Sequence, residues 1–380
     1  MSLLKYLFFN FFEMLIRMFP LPCRMGLVEI GHPGRNSPVF LTGNYHLTVQ
    51  RVKRALRGWD AHLVVANSRG INVWCAAAGG HFSNHDVISA LKTSGVEDVV
   101  GHRNVILPQL AASMVETKAI SQRAGWKVIW GPVYAKDIPD FLKEDHRKNM
   151  RMREAQFPLI QRIEMAGAWA FPMSVMIALL FLLFWPDAVL ESILFVWGLA
   201  VLIFAAFPLY HKKLRTGGRA DSAVFDFGRG GLQLILWLGV LSGLFLYSTT
   251  VGDFSWRFLL FWGIFSLAVI LVLSFDLGGS TPVLLSSFLE ERRLQVALDT
   301  GKCRGAGFCE DICPRSCFIV DRIGRKASLS HKDRCIRCGA CIVQCPFDAL
   351  CFESGNGMKI LPEHIRTHKL GLLGKRDVSL

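Results

Sequence analysis

Cys335-Ile-Arg-Cys338-Gly-Ala-Cys341-Ile-Val-Gln-Cys345-Pro346 is a C-x2-C-x2-C-x3-C-P run. One tight loop with this spacing offers three thiolates to a single iron–sulfur cubane, and in two-cluster modules the fourth cysteine serves the other cluster. Gly339 permits the turn. Zinc sites favour paired C-x2-C elements set far apart, so the run predicts a [4Fe–4S] cluster. An earlier half, Cys303-Arg-Gly-Ala-Gly-Phe-Cys309-Glu-Asp-Ile-Cys313-Pro314, repeats the pattern with Ala306 where a second cysteine belongs. By crossover, cluster II takes Cys335, Cys338, Cys341 and Cys313. Cluster I keeps Cys303, Cys309 and Cys345, which fits a [3Fe–4S] centre or a [4Fe–4S] centre with a labile fourth iron. Cys317 could supply the missing thiolate, although a packed core thiol is the plainer reading. Cys351, on an apolar strand-like run, reads as core. Such a module moves single electrons and makes no bonds itself, so an acceptor is needed.

A second cysteine supplies a candidate. Gly70-Ile-Asn-Val-Trp-Cys75-Ala-Ala-Ala-Gly-Gly-His-Phe82 places Cys75 directly before five small residues, Ala76, Ala77, Ala78, Gly79 and Gly80. Small side chains on a helical turn let a flat macrocycle approach the backbone, and a first-turn cysteine has its thiolate favoured by the helix dipole. The residues alone leave two readings, a thiolate facing a flat cofactor or a buried cysteine in a tight loop. Asn72 and Trp74 are candidate positioning residues. His81, His85 and His102 read as solvated or core histidines rather than metal ligands.

The elements that must hold these groups follow from composition. At roughly 150 residues per domain, 380 residues allow two or three modules. Hydrophobic residues make up 52% and charged residues 19%, against about 25% charge in ordinary soluble chains, which excludes a disordered tail protein. The net charge of +13 suits nucleic acid or anionic lipid; the positions of the basic residues favour lipid and no nucleic acid. Of 11 cysteines, eight fall between Cys303 and Cys345. That is a metal framework in a reducing compartment.

Four stretches lack Asp, Glu, Lys and Arg: Met165 to Pro186, Ser192 to Tyr210, Gly230 to Gly252, and Phe258 to Phe275. Each is near the ~20 residues that span a bilayer. Basic residues crowd before the first (Lys143, Arg147, Lys148, Arg151, Arg153, Arg162) and between the second and third (Lys212, Lys213, Arg215, Arg219, Arg229). The other two loops carry only Arg257. An even number of spans with this bias predicts a multi-pass protein of the cytoplasmic (inner) membrane with both soluble domains in the cytoplasm. The spans hold no central ionisable residue and no histidine, so a pump, an ion channel or a b-haem site is not indicated. They read as anchor and spacer.

Residues 1–22 read as an interfacial amphipathic helix, with Asn10, Glu13 and Arg17 on one side and Phe8, Phe9, Phe12, Leu15, Ile16 and Phe19 covering the rest. The broken apolar run and the lack of a small-x-small cleavage site argue against a signal peptide. Residues 23–150 alternate strand signals (Val39–Thr42, His62–Ala66, Asn104–Leu107, Lys127–Trp130) with helical ones (Leu47–Leu56, His85–Leu91, Ser113–Arg123), which predicts an α/β layer with a largely parallel sheet. The expected order is completed by a four-helix transmembrane region over 151–278 and an α+β, bacterial-type dicluster ferredoxin domain over 279–380. The fold class is therefore a multidomain membrane protein.

Asn72-Val-Trp-Cys75-Ala-Ala77 resembles the cap-helix motif of the membrane corrinoid protein of bacterial and archaeal mercury methylation. The similarity extends through Asn44-Tyr45, Gly70-Ile71, His102-Arg103, Pro108-Gln109, Gly131-Pro132 and Gly279-Ser-Thr-Pro282. It covers nearly the whole chain and is most specific at residues 70–77. In that family the soluble domain resembles the corrinoid-binding domain of the corrinoid iron–sulfur protein of acetyl-CoA synthesis. A separate ferredoxin accompanies it, so this chain resembles a fusion of the pair. The resemblance implies a Rossmann-like, corrinoid (cobalamin-type) binding domain. Cys75 is then the lower cobalt ligand and catalytic residue, with Asn72, Trp74, Ala76, Ala77, Ala78 and Gly79 around the cofactor. A thiolate pushes electron density onto the metal, which makes the upper methyl group carbanion-like and suits a soft acceptor such as Hg(II). The ferredoxin end would return cobalt to Co(I) with electrons from an external donor, and a corrinoid methyl-donor methyltransferase would re-methylate it. The family motif carries Lys where this chain has Gly79, and the family ferredoxin ends in a cysteine pair that the tail from Gly374 to Leu380 lacks. Another methyl acceptor therefore stands beside Hg(II). The rival from a different class is a membrane-bound iron–sulfur electron-transfer protein without corrinoid.

Overall fold

The computed structural model describes residues 10–211, 231–251, 254–275, 277, 294–355 and 357–368. The expectations for residues 1–9, for the basic loop from Lys212 to Arg229, for Gly279 to Pro282 and for the tail from Gly374 concern positions outside these. The chain divides into two compact units, residues 1–18 with 156–292 and residues 19–155 with 293–380.

The second unit begins with a five-stranded sheet of β1 (Gly26–Ile30), β2 (Val39–Gly43), β3 (Ala61–Ala66), β4 (Asn104–Leu107) and β5 (Lys127–Trp130). Its order is β1-β3-β2-β4-β5. β3, β2, β4 and β5 run parallel, as the alternation of signals predicts. The antiparallel edge strand β1 was not expected, because its residues, four half-buried and Glu29 exposed, carry no clear period. Every residue of β2 and β3 is buried, the pattern of strands covered on both faces. Val39, Leu41, Val64 and Val105 pack under Val87, Leu91 and Ile120. Phe40, Leu63, Val65 and Ile106 pack on the other side with Val49, Val52, Leu56 and Phe141. The chain winds from β2 to β3 in one direction and then out to β4 and β5 in the other. In such sheets the crevice outside the carboxyl ends, at the point of reversal, is where ligands bind.

After residue 293 the same unit continues with β6 (Gln295–Leu298), the hairpin β7 (Ile319–Asp321) and β8 (Lys326–Ser328), then β9 (Leu350–Glu353) and β10 (Lys359–Ile360). β10, β9 and β6 form an antiparallel sheet. Cys351 lies on β9 as expected, yet it is only half-buried while its neighbours Leu350 and Phe352 fill the core. Short helices at Phe308–Ile312 and Ala340–Val343 follow Gly307 and Gly339, whose left-handed φ values of 84° and 73° turn the cysteine loops.

The first unit holds four long helices, Leu159–Phe184, Val189–Ala205, Gly231–Thr250 and Trp256–Phe275. All four are long and apolar enough to cross a membrane by length and composition. Ala166, Ala170 and Ala200 let the first two approach closely around Val196, Ile203 and Phe204, while Met176, Leu179 and Leu183 stay exposed. The first helix starts before Met165 because its early charges have partners. Arg162 donates to the Ala205 carbonyl, and Glu164 lies 3.5 Å from Arg17. The expected helix over 1–22 is shorter in the described residues, helical over 10–15 and turning at 16–18. It lies against the first long helix, where a Cβ on Gly167 would stand 3.4 Å from Leu15 Cδ2.

Candidate functional site

β3 ends at Ala66, and a short loop leads into the six-residue helix Val73–Ala78. Asn44, buried just past β2, fixes that loop by accepting from the amides of Ser68 and Gly70, each at 2.9 Å. Gly70 takes φ +69°, and a Cβ there would come within 2.6 Å of the Pro22 nitrogen. No other residue fits without a shift of backbone. Leu21 N donates to Gly70 O at 2.9 Å, so the lead-in chain closes the loop from outside.

Asn72 caps the helix, its Oδ1 accepting from Cys75 N at 3.0 Å. Its Nδ2 donates to Cys75 Sγ at 3.3 Å. One side chain thus orders the first turn and holds the sulfur. Cys75 is exposed, whereas Ala76 and Ala77 are buried and bring the helix down onto the sheet end. Gly79 ends the helix; a Cβ there would meet Cys75 O at 2.9 Å, so a lysine at this position would require the turn to open. Trp74 and Ala78 line a cleft beside the helix.

The segments singled out in the sequence gather at one edge. Asn44-Tyr45 follows β2, Gly70-Ile71 follows β3, Pro108-Gln109 follows β4 and Gly131-Pro132 follows β5. All stand at the carboxyl ends of parallel strands. His102-Arg103 precedes β4 and lies at the opposite edge, where His102 Nε2 is 3.0 Å from Ser37 O. His85 is exposed and His81 half-buried. An exposed thiol held by an amide donor, on a helix set over this edge, fits the donor expected below the cobalt of a corrinoid.

Among the eight clustered cysteines, Cys309 lies near Cys345 and Cys303, Cys338 near Cys313 and Cys335, and Cys341 near Cys338, Cys335, Cys313 and Cys309. Cys317, left open between a cluster ligand and a core thiol, sits in the core of the dicluster domain. Buried at 1% exposure, it lies in side-chain contact with Cys313 and Cys335, and its amide donates to Cys313 Sγ at 3.3 Å. It belongs beside Cys313 and Cys335 and does not join Cys303, Cys309 and Cys345, because the Pro314-Arg-Ser316 turn folds it back onto Cys313. Cys303, Cys309 and Cys345 remain a set of three, and Ala306 is exposed.

Burial pushes the thiols of Cys309 and Cys338 up to about 12 and Cys341 well above its ordinary value. The hydrogen bond from Cys317 draws Cys313 down to about 7, against burial. Bare thiolates in such a setting lack counter-charge, which the iron of a cluster supplies. Backbone amides of Ala327, Arg337 and Ala349 donate to the sulfurs of Cys303, Cys335 and Cys345 at 3.3 to 3.4 Å. Hydrogen bonds of this kind set cluster potentials. The residues fit two iron–sulfur centres.

Within this unit the cysteine loops pack on the sheet edge. Ile312, Cys338 and Ala340 join the apolar cluster that contains Val73 and Ala76, and Cys338, Pro314, Gln109 and Ser113 share the cleft with Trp74 and Ala78. Gln344 makes four bonds across the seam. Its Oε1 accepts from Thr117 N at 3.2 Å and Thr117 Oγ1 at 2.8 Å; its Nε2 donates to Ala112 O at 2.8 Å and Val115 O at 2.6 Å. Lys148, 2% exposed, reaches Asp311 Oδ2 at 3.3 Å and Gln109 Oε1 at 2.9 Å. Burial lowers its amine to about 8, with Asp311 opposing. Neither Gln344 nor Lys148 is marked by any motif.

Both regions have known counterparts. Residues 18–142 match the family of the CO dehydrogenase/acetyl-CoA synthase delta subunit. Residues 292–350 match the 4Fe-4S dicluster domain. The gamma subunit of the acetyl-CoA decarbonylase/synthase complex of Archaeoglobus fulgidus is 34% identical over 131 residues, 33% of this chain and 27% of that protein. The corresponding subunit of Methanothermobacter thermautotrophicus is 36% identical over 119 residues, 31% of this chain and 26% of that protein. The chain thus spans about a quarter of the length of the curated relatives it matches. These findings support a corrinoid-type domain related to methyl transfer, joined to a 4Fe–4S dicluster domain, with corrinoid and iron–sulfur clusters as cofactors.

Proposed function

We propose that this chain is a membrane-anchored, corrinoid-dependent methyltransferase whose dicluster domain reduces the cobalt centre. The observation that carries the reading is the exposed Cys75 thiol, held by Asn72 at the carboxyl edge of the parallel sheet, with a cysteine loop packed along the same helix. When bound, the corrinoid supplies a cobalt centre that carries a methyl group between donor and acceptor. Cys75 would hold the cobalt through its sulfur, Asn72 would orient that sulfur, and Trp74 with Ala78 would shape the flank. A thiolate below the metal favours a soft electrophile as acceptor, and the resemblance at residues 70–77 makes Hg(II) the acceptor to try first. A corrinoid methyl-donor methyltransferase would supply the methyl group, and an external one-electron donor would feed the clusters. The four apolar helices and the basic flanks favour lodging in the cytoplasmic membrane, with both soluble parts on the cytoplasmic side.

The test is cobalt analysis and a visible spectrum of the purified full chain. Cobalt near stoichiometry and a corrinoid spectrum altered by Cys75→Ala, with iron content unchanged, are expected. A folded, iron-loaded and cobalt-free protein would instead make it a tethered iron–sulfur electron carrier.

A further inference from the structure

The two cysteine groups do not meet the corrinoid-type domain in the same way. Cys338 and Ala340, from the cluster II loop, pack into the apolar cluster that contains Val73 and Ala76. Cys338 also lines the cleft with Trp74 and Ala78, on either side of Cys75 in sequence. Cys303, Cys309 and Cys345 pack around Val320, Ala327 and Ala349 of the dicluster domain itself. Gln344, between Cys341 and Cys345, is buried and places all four of its bonds on residues 112–117 of the facing domain. A buried amide so fully satisfied fixes one docking geometry, since any displacement strands several polar groups at once.

We propose that cluster II is the exit point for electrons, passing them from the Cys338 side across the cleft it shares with Trp74 to the cofactor at Cys75, and that Gln344 is the positioning residue that holds this arrangement. The proposal rests on the corrinoid reading only for the identity of the acceptor. In the step, one electron leaves reduced cluster II and the cobalt centre gains it. Cluster II is then re-reduced by cluster I, which takes its electron from a low-potential one-electron carrier outside the chain.

The experiment uses the full-length chain in lipid nanodiscs. A nitroxide on Cys75 of cobalt-free protein reads proximity by electron paramagnetic resonance, and reduced cluster II should enhance its relaxation more than cluster I does. In cobalt-loaded protein, flash reduction follows cluster bleaching against cobalt reduction. Gln344→Ala should slow the cluster-to-cobalt step, because losing four buried hydrogen bonds loosens the seam, while iron content and both cluster potentials hold. Thr117→Val, which removes one of the four bonds, should give a smaller loss and serves if the alanine variant fails to fold. Stronger enhancement by cluster I, or transfer at the wild-type rate in a folded Gln344→Ala or Thr117→Val protein, overturns the proposal. Absence of cobalt overturns the corrinoid reading instead, and the nitroxide measurement still decides this one.

Discussion

Asn72 serves two atoms of one residue, and the two services can be separated by substitution. Its Oδ1 caps the helix through Cys75 N at 3.0 Å, and its Nδ2 donates to Cys75 Sγ at 3.3 Å. Asn72→Ala removes both. Losing an N-cap of this type costs about 1 kcal/mol, which the six-residue helix Val73–Ala78 can ill sustain. Asn72→Asp keeps the cap, because a carboxylate oxygen accepts from Cys75 N equally well and suits a first turn. It also replaces the donor to sulfur with a negative charge. At the 3.3 Å separation of the present contact, two unit charges in water repel by about 1.3 kcal/mol, which lowers the thiolate population by about tenfold at a pH below its titration. The assay is iodoacetamide labelling of corrinoid-free protein at fixed pH, read by mass spectrometry on the Cys75 peptide, beside chemical unfolding. The Asp variant should unfold like wild type and label about tenfold more slowly. The Ala variant should lose stability. If Asp labels as fast as wild type, or destabilises as much as Ala, the division of labour assigned to Asn72 is wrong.

Gly70→Ala should cost about 1–3 kcal/mol in chemical unfolding, because φ is +69° and the new Cβ faces the Pro22 nitrogen at 2.6 Å; an unchanged midpoint would refute the account of the loop. Lys148 has its amine lowered from 10.5 to about 8 by burial, so the folded chain binds fewer protons than the unfolded one between those values. Stability should therefore rise with pH across that window, by up to about 3 kcal/mol, and Lys148→Met should lose the slope; equal slopes would sink the argument. In oxidised protein, electron paramagnetic resonance should show a [3Fe–4S] signal from the set Cys303, Cys309 and Cys345. Cys317→Ser should perturb the signal of the other cluster and leave this one alone, and the reverse pattern would return Cys317 to cluster I.

Much of the fold could be read from local pattern. The four parallel strands lie within a residue or so of their apolar runs, because strands buried on both faces leave an unbroken signal. The long helices follow from charge-free stretches, although paired Arg162 and Glu164 let the first begin earlier than charge alone allows. What local pattern did not carry was tertiary. Cys317 was open in the sequence because four residues of spacing do not say which way a turn folds. Ala76 and Ala77 could be read as a smooth cofactor face, yet burial assigns them to packing, and the exposed feature is the single thiol. Gln344 and Lys148 act on partners more than 150 positions away, where no period or motif reaches.

Ala155 is the last residue of the second unit before the long helices, and its amide donates to Pro314 O at 2.9 Å while its carbonyl accepts from Arg315 at 3.0 Å. The polypeptide is thus clasped at its point of departure by the part that returns. Such a clasp imposes parity. If the helices cross a bilayer, only an even tally of crossings lets the two halves find each other, and a variant with one crossing deleted would strand them on opposite sides. It also makes the whole hydrophobic excursion excisable in principle, since a short bridge joining the two halves would leave their shared seam intact.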